Sequence, residues 1–462
     1  MKNYDVVILG GGPGGYVAAI RAAQLGRRTA IIEKDRLGGI CLNWGCIPTK
    51  ALLKNAEVLH YVKNSKQFGI NIPTYSVNFN QTIKRSRDVS QRLSKGIEFL
   101  MKKNNINHIQ GRGVFKSANE IEVRQGKKKE LIKSDKIIIA TGARPKIFPN
   151  MEPDGKRVIT SKEAMILKEL PKKIIIVGAG AIGAEFAYFF NEYGTQVHLI
   201  EMKNNILPVE DEEISKEVEK SFKKSGISIY KKTRVTKIEK LKTKLKVHAE
   251  SSGKSHVINA DIVLNAVGVT GNIEDIGLEK LGISTTKGSI EINEFNQTSI
   301  ENIYAIGDVT GPPWLAHVAS AQGRVAVEHA FNYSTYPIDY SNIPGCTYCQ
   351  PQVASIGITE FEAKELGREI KVGRFDFQAS GKALATGDTT GFVKIIFDAK
   401  YGELLGCHIV GNNATELIAE LSVAKALETT WEDIAMTIHA HPTLSETIME
   451  AALDAFGQNV HK

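Results

Sequence analysis

The strongest constraint on this chain is a repeat. Residues 4–35 read YDVVILGGGPGGYVAAIRAAQLGRRTAIIEKD, and residues 173–201 read KIIIVGAGAIGAEFAYFFNEYGTQVHLIE. Each stretch passes from a β-branched apolar run through a glycine turn into an alanine-rich helix, then into a second apolar run that stops on a glutamate. Glu33 follows Gly10, and Glu201 follows Gly178, by the same interval (33 − 10 and 201 − 178, both 23). Matched spacing over a whole strand–helix–strand unit predicts two separate dinucleotide-binding folds in one α/β chain.

The glycines explain what such a unit holds. Gly10 and Gly178 permit the tight turn, and Gly12 and Gly180 let the backbone approach a pyrophosphate. Gly15 and Gly183 let helix and strand pack closely, with Gly14 beside Gly15 in the first turn. The helix that opens there presents free N–H groups and a positive dipole end to an anion. Glu33 and Glu201 suit a ribose diol and would repel a 2′-phosphate, so the second unit is expected to take NAD rather than NADP. Lys203 lies close enough to weaken that preference, but no arginine pair is present.

Between and after the repeats the pattern changes. A polar helical stretch is expected over about 80–104, strand-like runs at 136–140 and 261–268, and AIGDV at 305–309. From Pro344 short strands precede helices at about 414–428 and 444–456, a separate α+β unit. Five cysteines in 462 residues are too few for a secreted disulfide framework. Two of them, Cys41 and Cys46, lie in GGICLNWGCIPTK. Inert core thiols, a metal site and a redox disulfide all remain open on spacing alone, although no further ligands lie near for a metal. Helix-forming residues begin just after Cys46, with Pro48 in the first turn, and a cysteine at a helix N-terminus has a stabilised thiolate. HAHPTLSE, at 439–446, sets His441 five residues before Glu446, a spacing that suits an imidazole oriented by a carboxylate.

GGICLNWGCIPTKALL resembles the active-site segment of the FAD-dependent pyridine-nucleotide disulfide oxidoreductases. The similarity runs from the first glycine turn to HPTLSE and includes ATG at 140–142 and AIGDV. It is greatest to the members that reoxidise protein-bound dihydrolipoamide with NAD+. The resemblance implies an FAD domain over 1–146 and an NAD domain over 147–271. A central segment over 272–343 would complete the FAD site, and an α+β dimerisation domain would span 344–462. It further implies that Cys41 meets the substrate and Cys46 the flavin, that Lys50 pairs with Glu185 beside the flavin ring, and that His441 is the base oriented by Glu446. FAD contacts are expected from Gly10, Gly12, Gly14, Gly15, Glu33, Lys50, Gly113, Thr141, Gly142, Asp308 and Ala316, with Asp308 on the ribityl chain. NAD contacts are expected from Gly178, Gly180, Gly183, Glu201 and Gly268. Val269 stands where the family often has arginine, and Trp44 where it commonly has valine, read here as packing.

The remaining expectations are exclusions and partners. The net charge of +8 is spread along the chain with one short run, KKK at 127–129, so no nucleic-acid partner is expected. No 18-residue apolar run and no leader pattern is visible, so a cytoplasmic place without membrane anchoring is expected. No metal site is expected. Cys346 and Cys349 (CTYC) read as small core residues rather than a second redox centre, Cys407 as a core thiol, and His439 as a packing residue. The resemblance implies a homodimer in which His441 and Glu446 come from the partner subunit. It also implies service to a lipoyl-bearing acyltransferase or a glycine-cleavage H-type protein.

Overall fold

A computed structural model describes residues 2–251 and 253–461. The first apolar run becomes the strand Lys2–Leu9, with Val6, Val7 and Ile8 fully buried. It lies in a parallel core between strands Thr29–Glu33 and Lys128–Ile139, with Asn107–Gln110 beyond Thr29–Glu33. A β-branched run without polar alternation is what a strand covered on both faces needs. The antiparallel strands Arg112–Ser117 and Glu120–Gln125 extend the far side. One further strand, Ile303–Ala305, arrives from much later in the chain and pairs in parallel with Ile137–Ile139.

Helix α1 (Pro13–Gln24) crosses this sheet on its alanines, Ala18, Ala19 and Ala22. Helices α2 (Gly39–Trp44), α3 (Cys46–Lys63) and α4 (Phe79–Lys103) follow. The second repeat builds its own five-stranded parallel sheet, in the order Ser228–Tyr230, Gln196–Ile200, Lys173–Val177, Ile262–Asn265, Val158–Ile159. Helices α5 (Ser161–Ala164), α6 (Ala181–Glu192) and α7 (Glu212–Lys224) belong to this unit. Helix α8 (Ala316–Ala330) then returns to pack on α1. Their approach is close because both helices carry small residues: a Cβ on Gly323 would sit 2.7 Å from the Gly14 carbonyl oxygen.

The C-terminal unit is a five-stranded antiparallel sheet, Gly345–Thr347, Gln352–Gly357, Leu404–Gly411, Gly391–Asp398 and Ile370–Asp376. Helices α9 (Glu360–Glu365), α10 (Gly381–Thr386), α11 (Ala414–Ala426), α12 (Trp431–Met436) and α13 (Glu446–Ala455) surround it. This sheet is clamped to the second unit by Lys394, whose side chain is 2% exposed. Its Nζ lies 3.1 Å from Asp211 and 2.7 Å from both Glu213 and Glu360. Burial opposes its charge, yet these carboxylates raise its pKa overall.

Candidate active site

The two glycine turns have nearly the same internal geometry. Gly10 N–H donates to Ile32 O, and Gly178 N–H to Ile200 O, each at 2.8 Å. Glu33 accepts from the N–H groups of Gly11 (2.7 Å) and Asp35 (2.8 Å); Glu201 accepts from those of Ala179 (2.7 Å) and Lys203 (2.8 Å). A Cβ on Gly15 would stand 1.9 Å from Gly10 O, and one on Gly183 1.8 Å from Gly178 O, so helix and strand touch backbone to backbone. Gly12 and Gly180 are each the N-cap of their helix in extended backbone, with the first-turn N–H groups facing outward.

Cys41 lies in the short helix α2, and α3 begins on Cys46 itself. Gly38 and Gly39, at φ +94° and +56°, make the entry to α2. A Cβ on Gly39 would lie 2.7 Å from the Gly12 Cα, so α2 rests directly on the first glycine turn. Helix α4 holds this segment from behind through serines spaced one turn apart. Ser86 donates to Pro48 O (2.9 Å), Ser90 to Leu42 O (2.7 Å) and Ser94 to Leu37 O (3.0 Å). Sequence reading missed that role, although the four-residue spacing of Thr82, Ser86, Ser90 and Ser94 on a polar helix was its signal. Trp44 does more than pack: the Arg87 guanidinium and the Lys162 ammonium lie 4.5 Å and 4.7 Å from its ring centroid.

Cys41 and Cys46 are free thiols in the structure, and they are not equivalent. The adjacent Cys41 lowers the Cys46 pKa against the opposing effect of burial, and the Lys50 ammonium lowers it further. The adjacent Cys46 raises that of Cys41, and burial acts in the same direction. The pair therefore favours a Cys46 thiolate beside a protonated Cys41. Lys50, one turn along α3, pairs with Glu185 of α6 at 2.8 and 3.0 Å. That contact joins the first unit to the second.

Asp308 sits near Cys41 with no hydrogen-bond partner for its carboxylate among the described residues, and burial raises its pKa. Ala316 opens α8, Gly142 (φ +69°) has open space above its Cα, and the Thr141 hydroxyl donates to Asn272 O at 2.9 Å. Gly113 makes room within the sheet, where a Cβ would meet Leu9 Cδ2 at 2.6 Å. Gly268 (φ +100°) is also unobstructed, and Val269 after it begins a short strand paired with Pro145.

His441 Nδ1 donates to Glu446 Oε1 at 2.8 Å, while Thr443 N–H donates to Glu446 Oε2 at 2.8 Å. The Thr443 bond, then the His441 bond, lowers the carboxyl pKa despite some burial. With Nδ1 so engaged, a neutral His441 presents Nε2 as an acceptor. Its side chain is 79% exposed, and its hydrogen bond among the described residues goes to Glu446. His439 is more than a packing residue: its side chain is 5% exposed and pairs with Glu420 of α11 at 2.7 Å, anchoring the approach to His441. Cys349 and Cys407 are fully buried; Cys346 is half-buried, and burial pushes its thiol up to about 11. Cys349 Sγ donates to Pro351 O at 3.3 Å.

Residues 4–323 match the pyridine nucleotide-disulphide oxidoreductase family, and residues 343–452 match the dimerisation domain of the same family. The chain belongs to this family. It is 50% identical to a dihydrolipoyl dehydrogenase of Rhizobium etli, and 45% identical to one of Bacillus subtilis, with 99% of each chain covered in both cases. Among solved structures it is similar to LpdA of Mycobacterium tuberculosis (TM-score 0.90, 27% identity, 98% and 99% of the two chains covered). It is also similar to the HOCl-induced flavoprotein disulfide reductase RclA of Escherichia coli in its Cu(II) complex (TM-score 0.88, 27% identity, 98% and 99% covered). The chain is thus a flavoprotein oxidoreductase with two Rossmann-like units, and its dimerisation domain makes the assembled form a homodimer. The family uses FAD and NAD, and the residues present fit both. The first turn, the unpartnered Asp308 and the α8 N-terminus suit the pyrophosphate and polyol of FAD, and the open second turn with Glu201 suits NAD. No helix among the described residues is long and apolar enough to cross a membrane.

Proposed function

We propose that this chain oxidises protein-bound dihydrolipoamide to lipoamide with NAD+, through a Cys41–Cys46 disulfide and FAD. The observation that carries this reading is the placing of the cysteine pair, with Cys41 in α2 and Cys46 as the first residue of α3, one turn before the Lys50 that pairs with Glu185 at 2.8 Å. FAD, when bound, carries the electron pair from the cysteines to the nicotinamide.

The chain's own part is proton and sulfur chemistry. His441 of the partner subunit takes a proton from one substrate thiol at Nε2. The thiolate attacks Cys41 Sγ, the Cys41–Cys46 bond breaks, and Cys46 leaves as the thiolate that Lys50 stabilises. The second substrate thiol then attacks the substrate sulfur of the mixed disulfide, its proton passing to the departing Cys41 sulfur, which is released with lipoamide. Glu446 keeps His441 in the tautomer that accepts at Nε2. The partners are a lipoyl-bearing acyltransferase or an H-type protein of glycine cleavage, and the enzyme acts in the cytoplasm.

A steady-state assay of NAD+ against NADP+, with dihydrolipoamide and with glutathione, tests this. NAD+-dependent dihydrolipoamide oxidation is expected, and preferential glutathione turnover with NADP(H) would overturn it. Cys46→Ser is expected to abolish lipoamide turnover while FAD stays bound. His441→Ala is expected to slow dihydrolipoamide oxidation by about 10²–10⁴-fold. NADH oxidation by an artificial dye should be nearly untouched, and equal loss in both assays would make His441 structural.

A further inference from the structure

Tyr348 lies in the C-terminal unit, between strands Gly345–Thr347 and Gln352–Gly357, outside every motif that the reaction above uses. Its ring faces the Lys50 ammonium, with Nζ 4.4 Å from the ring centroid. Its backbone N–H donates to Glu185 Oε1 at 3.1 Å. One residue therefore holds both members of the ion pair, the cation with its π face and the anion with its amide. Lys50 comes from α3, Glu185 from α6 and Tyr348 from the dimerisation domain, so three parts of the chain converge on one charge pair.

We infer that Tyr348 is a positioning residue for the thiol chemistry: it fixes the Lys50–Glu185 pair where the Lys50 ammonium stabilises the Cys46 thiolate. The inference rests on the functional reading above only in assigning Cys46 the thiolate role. The charged and titratable groups around Cys46 are Cys41 of α2, Lys50 of its own helix, Glu185 of α6 and Tyr348. Cys41 and Lys50 favour the anion, and Glu185 opposes it. Tyr348 in turn faces Cys346, Glu185 and Glu416 of α11, and burial pushes its phenol up to about 12, so it stays neutral at working pH. A neutral ring confines Lys50 without neutralising it. Without that face the flexible Lys50 stem, anchored by Glu185 alone, moves its charge off Cys46.

The test follows the pH dependence of Cys46 alkylation by iodoacetamide in the dithiothreitol-reduced holoenzyme, mapped by mass spectrometry to distinguish Cys46 from Cys41. Tyr348→Phe keeps the ring and the amide, and its alkylation midpoint should match the parent protein. Tyr348→Leu keeps the amide and loses the π face, and its midpoint should rise by ~1 pH unit. FAD content and melting temperature, measured alongside, show whether the variant is folded. Should Tyr348→Leu lose its flavin, Tyr348→Met fills a similar volume without a π face and takes its place. An unchanged midpoint in the folded Leu or Met variant overturns the proposal, and so does a rise in Tyr348→Phe, which would put the effect in the hydroxyl. The readout needs no dihydrolipoamide turnover, so its failure is distinguishable from failure of the assigned activity.

Discussion

The two glycine turns match in their internal hydrogen bonds and differ in their surroundings. They share hydrogen bonds and the helix–strand contact at Gly15 and Gly183 to within 0.1 Å, and both units carry a buried glutamate at the end of the second strand. The surroundings differ. Gly39 of α2 lies over the first turn, and a Cβ on Gly14 would meet Ala319 O of α8 at 2.9 Å. At the equivalent place in the second turn stands Ile182, 40% exposed, and nothing lies within 4 Å of a Cβ on Gly180. The same cradle is thus covered by neighbouring helices in one unit and left open in the other.

Exchanging residues between the turns tests that contrast. The largest effect is expected from Gly14→Ile, which copies the second turn into the first. The side chain would drive into α8, costing about 3 kcal/mol or more, and the protein should purify without flavin absorbance. Full flavin retention would mean that α8 does not close the first turn in solution. Gly180→Ala should come next. Its backbone, at φ −72°, accepts alanine, so melting temperature and FAD content should hold while the KM for NAD+ rises about tenfold, ~1.4 kcal/mol. An unchanged KM would place the pyrophosphate elsewhere. Ile182→Gly should matter least, lowering stability by about 1 kcal/mol through helix propensity, with KM and flavin content unchanged. Flavin loss in that variant would show the second turn to be less independent of the first than its exposure implies.

Much of this was legible because it is local and periodic. The paired turns with Glu33 and Glu201 follow from one repeated unit, and the helix over 79–103 and the His441–Glu446 spacing from residues a few positions apart. The pairing of Lys50 with Glu185 came only through family resemblance. What escaped depends on distant segments. Helix α2 is six residues long and bounded by glycines, so propensity hides it. Trp44 read as packing because its two cations come from α4 and α5, remote in sequence. Lys394 carries no signal in the sequence, and only the tertiary fold places Asp211, Glu213 and Glu360 around it. Tyr348 showed no signal at all, since its partners lie in both other units.

The strand Ile303–Ala305 has a consequence for how the molecule is made. It pairs with Ile137–Ile139, so the whole second unit is an insertion between two pieces of the first sheet. A chain emerging N-terminus first has every element of the second sheet available before the first sheet can close. The second unit is free to fold early, whereas the first waits for a contact of high sequence separation. The first sheet is therefore complete only once residues 303–305 are present, after every strand of the second sheet has already appeared in the chain.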